Sequence, residues 1–147
     1  MNLTLNFTLD EFTQSATAKI NKIENKPTPK QVEALRTLCD NILQPARNFI
    51  GQITILSGFR SVALNAKLKG AKNSQHTRGE AADIDSRDNA RLFSYLQGRQ
   101  NFDQLIWEFG DENQPGWIHV SVKESENRKE VLRAVKEGEK TVYKPFV

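Results

Sequence analysis

Disulfides, membrane spans and low-complexity tracts are all missing from this sequence. Cys39 is the only cysteine, so no internal disulfide can form and no oxidising compartment is implied. Set among apolar residues at helical spacing, it reads as a buried structural thiol. No stretch approaches the roughly 20 apolar residues of a membrane span, and the start MNLTLNFTLDEF has neither the basic beginning nor the apolar run of a signal peptide. The expectation is a product that is cytoplasmic as synthesised. Linkers rich in Pro, Gly or Ser are lacking, as are repeats, and 147 residues suit one sizeable core better than two. A single domain over residues 1–147 is expected. Charge of one sign is scarce too: 21 Lys and Arg face 18 Asp and Glu, too small an excess to point to nucleic acid. After Lys123 the cations alternate with glutamates, as on a solvated surface. No nucleic-acid partner is expected, and a monomer is.

What is present is ordinary globular material, 37% hydrophobic and 27% charged. Thr8 with Glu11 makes a capping box, and Phe7 and Phe12 stand where a hydrophobic staple closes a helix start. Thr28, Pro29 and Gln31 mark a second start. Val32, Leu35, Leu38, Ile42, Ala46 and Phe49 then carry one apolar face to Gly51, with an interruption expected near Pro45. The alternating, β-branched run 52–56 reads as a strand, and Val62 to Lys69 as a short helix. Ala81 to Asp85 reads as a strand and Asp88 to Gln97 as a helix. Two further strands, Asp103 to Phe109 and Trp117 to Val122, flank the loop Gly110 to Gly116. Lys129 to Lys136 fits either a strand or a helix, and the extended Thr141-Val142-Tyr143 tips the reading to strands. Helices first and a mostly antiparallel sheet later make the class α+β.

The sequence has only two histidines, and both lie in informative settings. His76 sits in Ser74-Gln75-His76-Thr77-Arg78-Gly79-Glu80-Ala81-Ala82-Asp83, a polar loop that enters a strand carrying a carboxylate. His119 is the centre of Trp117-Ile118-His119-Val120-Ser121, on one strand face with Trp117 and Ser121. A strand histidine or aspartate taken singly is more often structural. Taken together, His76, Asp83 and His119 supply the three nitrogen and oxygen ligands that a catalytic zinc site needs, with a fourth position left for water.

These blocks resemble the zinc D-alanyl-D-alanine carboxypeptidases and the related dipeptidases and phage L-alanyl-D-glutamate endopeptidases, which share the hedgehog/DD-peptidase fold. The resemblance rests on Ser57-Gly58-Phe59-Arg60-Ser61, on Ser74-Gln75-His76 with Gly79 and Ala81-Ala82-Asp83, and on Trp117-Ile118-His119-Val120-Ser121, in that order. It covers about Thr28 to Val122 and leaves 123–147 as a C-terminal extension. It implies helices packed on a mostly antiparallel sheet, one Zn2+ on His76, Asp83 and His119, and hydrolysis of peptide bonds in bacterial peptidoglycan by a metal-activated water. The cleavage would be of the endopeptidase or carboxypeptidase type, and the absence of a leader suits a phage or prophage lytic enzyme that reaches the wall after release. Arg60 would bind a substrate carboxylate or stabilise the oxyanion; Ser74 and Trp117 would border the substrate.

One feature departs from the pattern. Relatives place an acidic base three residues before the last histidine, and that position is Gly116 here. Glu108 is the replacement candidate: if Phe109 lies opposite Ile118 in a hairpin, Glu108 lies opposite His119 on the same face. A one-residue slip would turn it away and leave Asp111 or Glu112. Two other functions remain open, a cytoplasmic D-alanyl-D-alanine dipeptidase, which needs a closed pocket, and a zinc-binding module of the same fold that no longer cleaves. Trp107 and Trp117 read by default as core, and Asp85 and Asp88 as serving a turn and a helix start.

Overall fold

Local chemistry fixes the helix starts. In the computed structural model, which describes residues 1–147, Thr8 and Glu11 form the reciprocal capping box of α1 (Leu9–Thr13). The Phe7 and Phe12 rings meet at 6.2 Å to close it. A short helix that the sequence reading did not contain, α2 (Ala16–Ile20), follows, with the Ser15 hydroxyl accepting from the Ala18 N–H. Thr28 and Gln31 cap α3 (Pro29–Leu38) in the same reciprocal way.

The interruption expected near Pro45 is a π-helical turn, Cys39–Leu43, before α4 (Gln44–Ile50). Proline has no N–H to give to the carbonyl four residues back. The Asn41 carbonyl accepts instead from the Asn101 side chain at 2.9 Å, and the wider turn absorbs the extra residue. Cys39 lies in this turn, fully buried. Burial first, and then the Asp40 and Glu11 carboxylates, push its thiol well above the ordinary value, so it stays a protonated, inert packing group.

The remaining elements are β1 (Thr54–Ser57), α5 (Val62–Lys67), a 3-10 turn (Gln75–Arg78), β2 (Ala81–Asp85), α6 (Asn89–Arg99), β3 (Gln104–Glu108), β4 (Trp117–Ser121), β5 (Glu130–Glu137) and β6 (Lys140–Pro145). The six strands form one sheet in the order β1-β2-β4-β3-β5-β6. Every pairing is antiparallel except β3 with β5. The class is α+β, with helices on a mostly antiparallel sheet. The ambiguous C-terminal stretch is a β-hairpin.

Period-two alternation gives the sheet two different faces. One carries Ile55, Ile84, Ile118 and Trp107, which join Leu35, Leu38, Ile42, Phe93 and Leu96 of the helices in a buried cluster of 24 residues. The other carries Ser57, Asp83, His119, Ile106 and Leu132 in one lateral row. Two residues further along, Trp117, Glu108, Ala134 and Tyr143 form a second row on that same face.

The register of the β3–β4 hairpin corrects the sequence reading. Trp107 pairs with Ile118, Glu108 with Trp117 and Ile106 with His119, so Phe109 does not face Ile118 and Glu108 does not face His119 directly. The chain leaves the strand one residue early, because Phe109 and Gly110 take φ of 56° and 68°. The Phe109 N–H then donates to Ala134 O, and the Gly116 N–H closes the loop on Glu108 O at 2.8 Å. A displacement of two residues preserves which face a side chain occupies, so Glu108 remains on the side of His119.

Candidate metal centre

Three separate segments deliver the three candidate ligands to one point. Asp83 of β2 and His119 of β4 are directly paired across the sheet, and His119 Nδ1 lies 3.0 Å from Asp83 Oδ1. His76 arrives from the 3-10 turn that leads into β2, with its Nε2 3.4 Å from the same oxygen. The imidazole planes of His76 and His119 meet edge to face at 5.2 Å. One ligand atom from each of the three residues lies within 4.8 Å of the others.

The turn that holds His76 is fixed on several sides. Ser74 caps it, accepting from the His76 N–H and, through its carbonyl, from the Thr77 hydroxyl at 2.6 Å. Gly79 ends the turn with φ of 74°, and a Cβ there would lie 2.5 Å from Gln31 O. Only glycine meets both demands. The imidazole itself is oriented by the Gly58 carbonyl, 2.7 Å from Nδ1. A carbonyl only accepts, so Nδ1 carries the proton and the Nε2 lone pair is left facing Asp83.

Gly58 can supply that carbonyl because it has no side chain. A Cβ there would lie 2.7 Å from the Phe12 backbone, and the Phe59 N–H donates to Phe12 O at 2.7 Å. The Asn25 side chain secures the same segment, donating to Phe59 O and accepting from the Ser61 N–H.

This donor set fits a divalent cation. A nitrogen lone pair 3.4 Å from a carboxylate oxygen is repelled unless a proton or a metal ion lies between them. Two imidazoles and one carboxylate are the ligand types of a borderline metal such as zinc, and the backbone bond to His76 Nδ1 is the outer-shell contact such ligands use. Burial raises the Asp83 carboxyl, but where protons on His119 and His76 take the place of a cation, their hydrogen bonds and then their charge outweigh burial and hold the group below the ordinary carboxylate range. Asp83 is thus ready to bind a cation at neutral pH.

Around these residues opens a cleft of about 1330 Å³. Arg60 enters it from the turn after β1, with its guanidinium 3.6 Å from Asp83 Oδ2. Nε and Nη1 donate to Ser57 Oγ and Asn65 Oδ1. Glu108 projects from β3 and is only 7% exposed. Its carboxyl is raised to about 7, by burial first and by the Asp83 carboxylate second, with His119 opposing. Ser74 and Trp117 also border the cleft, and the Trp117 ring leans on Phe109 at 5.4 Å. Trp107 instead packs in the core against Phe93 and Phe146. Asp85 accepts from the Asn89 side chain, and Asp88 caps α6.

The loop acids lie elsewhere: Asp111 accepts from the Asn113 and Gln114 amides, and Glu112 is a largely exposed partner of Arg133. Sequence reasoning missed the Gly58 carbonyl, Asn25 and Asn65, whose contacts are long-range or made through the backbone. It also missed Lys136, Thr141 and Tyr143, which bring the C-terminal hairpin into the cleft wall. The alternation in Thr141-Val142-Tyr143 signalled a strand, but nothing in it said against which neighbour.

No helix is long and apolar enough to cross a membrane. A search of curated proteins finds no match. The family model described as Peptidase M15 matches residues 5–121, from before α1 to the end of β4 and through every residue of the His-Asp-His group. The chain belongs to the M15 peptidase family.

Proposed function

We propose that this protein is a zinc-dependent peptidase that hydrolyses peptide bonds of bacterial peptidoglycan. The observation that carries this reading is the convergence of His76 Nε2 and His119 Nδ1 on one oxygen of Asp83, with the tautomer of His76 set by Gly58. A zinc ion held by these three atoms would polarise the scissile carbonyl and acidify the attacking water.

The chain's own residues supply the rest. Glu108, buried in the cleft wall on the His119 side of the sheet, with its carboxyl raised to about 7 in the metal-free chain, is placed to act as the general base. It takes a proton from the attacking water, whose oxygen bonds to the acyl carbon, and gives that proton to the leaving nitrogen as the C–N bond breaks, which leaves a carboxylic acid, a free amine and the Glu108 carboxylate regenerated. It fills the role left vacant at Gly116. Arg60 presents a guanidinium that can pair with a substrate carboxylate or with the developing oxyanion, while Ser57 and Asn65 keep its plane fixed. Ser74 acts on the ligand His76 through its backbone, and Trp117 walls the cleft.

The cleft's shape supports a long substrate. At about 1330 Å³ it exceeds the roughly 300–1,000 Å³ of ordinary small-molecule pockets, and it is open rather than sealed around two ends of a dipeptide. An endopeptidase or carboxypeptidase acting on wall peptides, as in a phage lytic enzyme, suits it better than a dipeptidase. The test is release of new amino groups from purified peptidoglycan, with the fragments identified by mass spectrometry. Activity that disappears with chelator and returns with zinc supports the proposal. Intact wall peptides in the presence of zinc-loaded protein would overturn it.

A further inference from the structure

The sheet face that carries the metal centre continues beyond the family-matched segment, which ends at residue 121. The hairpin of β5 and β6 is bound to the domain at both ends. At its start, Asp103 is fully buried and accepts from the Arg128 N–H, Nε and Nη2. At its end, the Phe146 ring packs on Phe93 and Trp107 at 4.8 and 5.6 Å. Between these anchors β5 runs parallel to β3 and β6 pairs with β5.

The register places Tyr143 in one lateral row with Ala134, Glu108 and Trp117. Strands are roughly 4.8 Å apart, so Tyr143 stands two strands outward from Glu108 with only Ala134 between them. Ala134 is fully buried, and its methyl group is small enough for a phenol ring to extend over it toward Glu108. Tyr143 borders the same cleft as His76, Asp83, His119 and Glu108. No hydrogen bond within the chain engages its hydroxyl, which leaves the donor free for a ligand. Tyr143 is about half exposed, 53%, so its hydroxyl is reachable from the cleft, and a phenol carries its proton throughout the neutral range.

We infer that Tyr143 is a substrate-binding residue of this peptidase, its hydroxyl donating a hydrogen bond to the peptide at the β6 end of the cleft, across the metal ligands from Arg60. Arg60 approaches the metal ligands from the β1 side, and Tyr143 approaches from the β6 side. A peptide lying across the strands between them would pass over Glu108, which then delivers its proton to a leaving nitrogen held in line. The inference rests on the peptidase reading above, and it assigns part of the active site to a segment outside the family match.

The test pairs Tyr143→Phe, which removes only the oxygen, with two readouts. The first is the affinity for a wall peptide, measured by calorimetry on zinc-loaded Glu108→Gln with and without Tyr143→Phe, so that turnover does not intrude. One neutral hydrogen bond corresponds to about 5- to 10-fold in Kd, and that weakening is expected. The second is kcat/KM of Tyr143→Phe alone, expected to fall by at least the same factor while zinc content and Tm stay at wild-type values. A Kd within about twofold in the two backgrounds, with active wild-type enzyme, overturns the assignment of Tyr143 and leaves the peptidase reading standing. Absence of both peptide binding to Glu108→Gln and cleavage by the wild type overturns the two together.

Discussion

Replacing Glu108 by Gln should set stability against activity. Glu108 is 7% exposed, and burial followed by the Asp83 carboxylate raises its carboxyl from the usual 4.5 to about 7. In chelator-treated protein the unfolded chain releases this proton near 4.5, and the folded chain holds it until about 7. The folded state therefore binds more protons across that window. The stability contributed is complete below pH 4.5 and is lost as the pH rises through 7.

At about 1.36 kcal/mol per pKa unit the loss is on the order of 3 kcal/mol, an upper figure because the cleft admits water. Glutamine has nearly the same shape and no proton to release, so Glu108→Gln should retain at pH 8 what the wild type loses. Asp83 is shifted the opposite way; its contribution disappears only as the pH falls below the ordinary carboxylate range, outside this window. Urea unfolding of both metal-free proteins at pH 4.5 and pH 8 measures the effect. Glu108→Gln should gain up to about 3 kcal/mol on the wild type between the two pH values. With zinc present, the same variant should hydrolyse wall peptides roughly 10²- to 10⁴-fold more slowly. A stability difference that does not change with pH would refute the reasoning about burial and like charge.

Gly58→Ala should destabilise the protein by about 1–3 kcal/mol in urea unfolding, because the new methyl would lie 2.7 Å from the Phe12 backbone. It should also weaken metal binding through the carbonyl that orients His76. Arg60→Lys keeps the charge and loses the fork that reaches Asp83, Ser57 and Asn65; kcat/KM should fall roughly 10- to 100-fold with zinc content unchanged. Zinc added at 1,000 times its Kd should stabilise the folded chain by about 4 kcal/mol, seen as a rise in Tm that chelator reverses.

The parts of the molecule legible in the sequence are those written in local chemistry. Capping boxes at Thr8 and Thr28 announced α1 and α3, and Pro45 announced the break after Leu38. The His76 and Asp83 spacing was legible because a turn and the strand that follows it fix their separation within a single short segment. The hairpin register was not, since it depends on where the chain leaves β3. The positive φ of Phe109 is a conformation that phenylalanine does not advertise. Glu108 kept its face only because the displacement was two residues and strands alternate with period two. The role of the C-terminal hairpin was hidden for another reason. β5 pairs with β3 in parallel across more than 20 residues of intervening chain, and such non-local pairing leaves no mark in a sequence window. Helix α2 is too short for a periodic pattern, and Ser15 alone gave a weak start signal.

The proposed chemistry depends on His76, Asp83 and His119 holding one ion between them. Anomalous diffraction at the zinc edge from crystals of the purified, zinc-loaded protein tests it most directly. One peak per chain is expected, with His76 Nε2 and His119 Nδ1 at about 2.0–2.1 Å and an Asp83 oxygen at about 2.0–2.2 Å. A peak elsewhere in the chain, or none among these three side chains at full zinc loading, would contradict it.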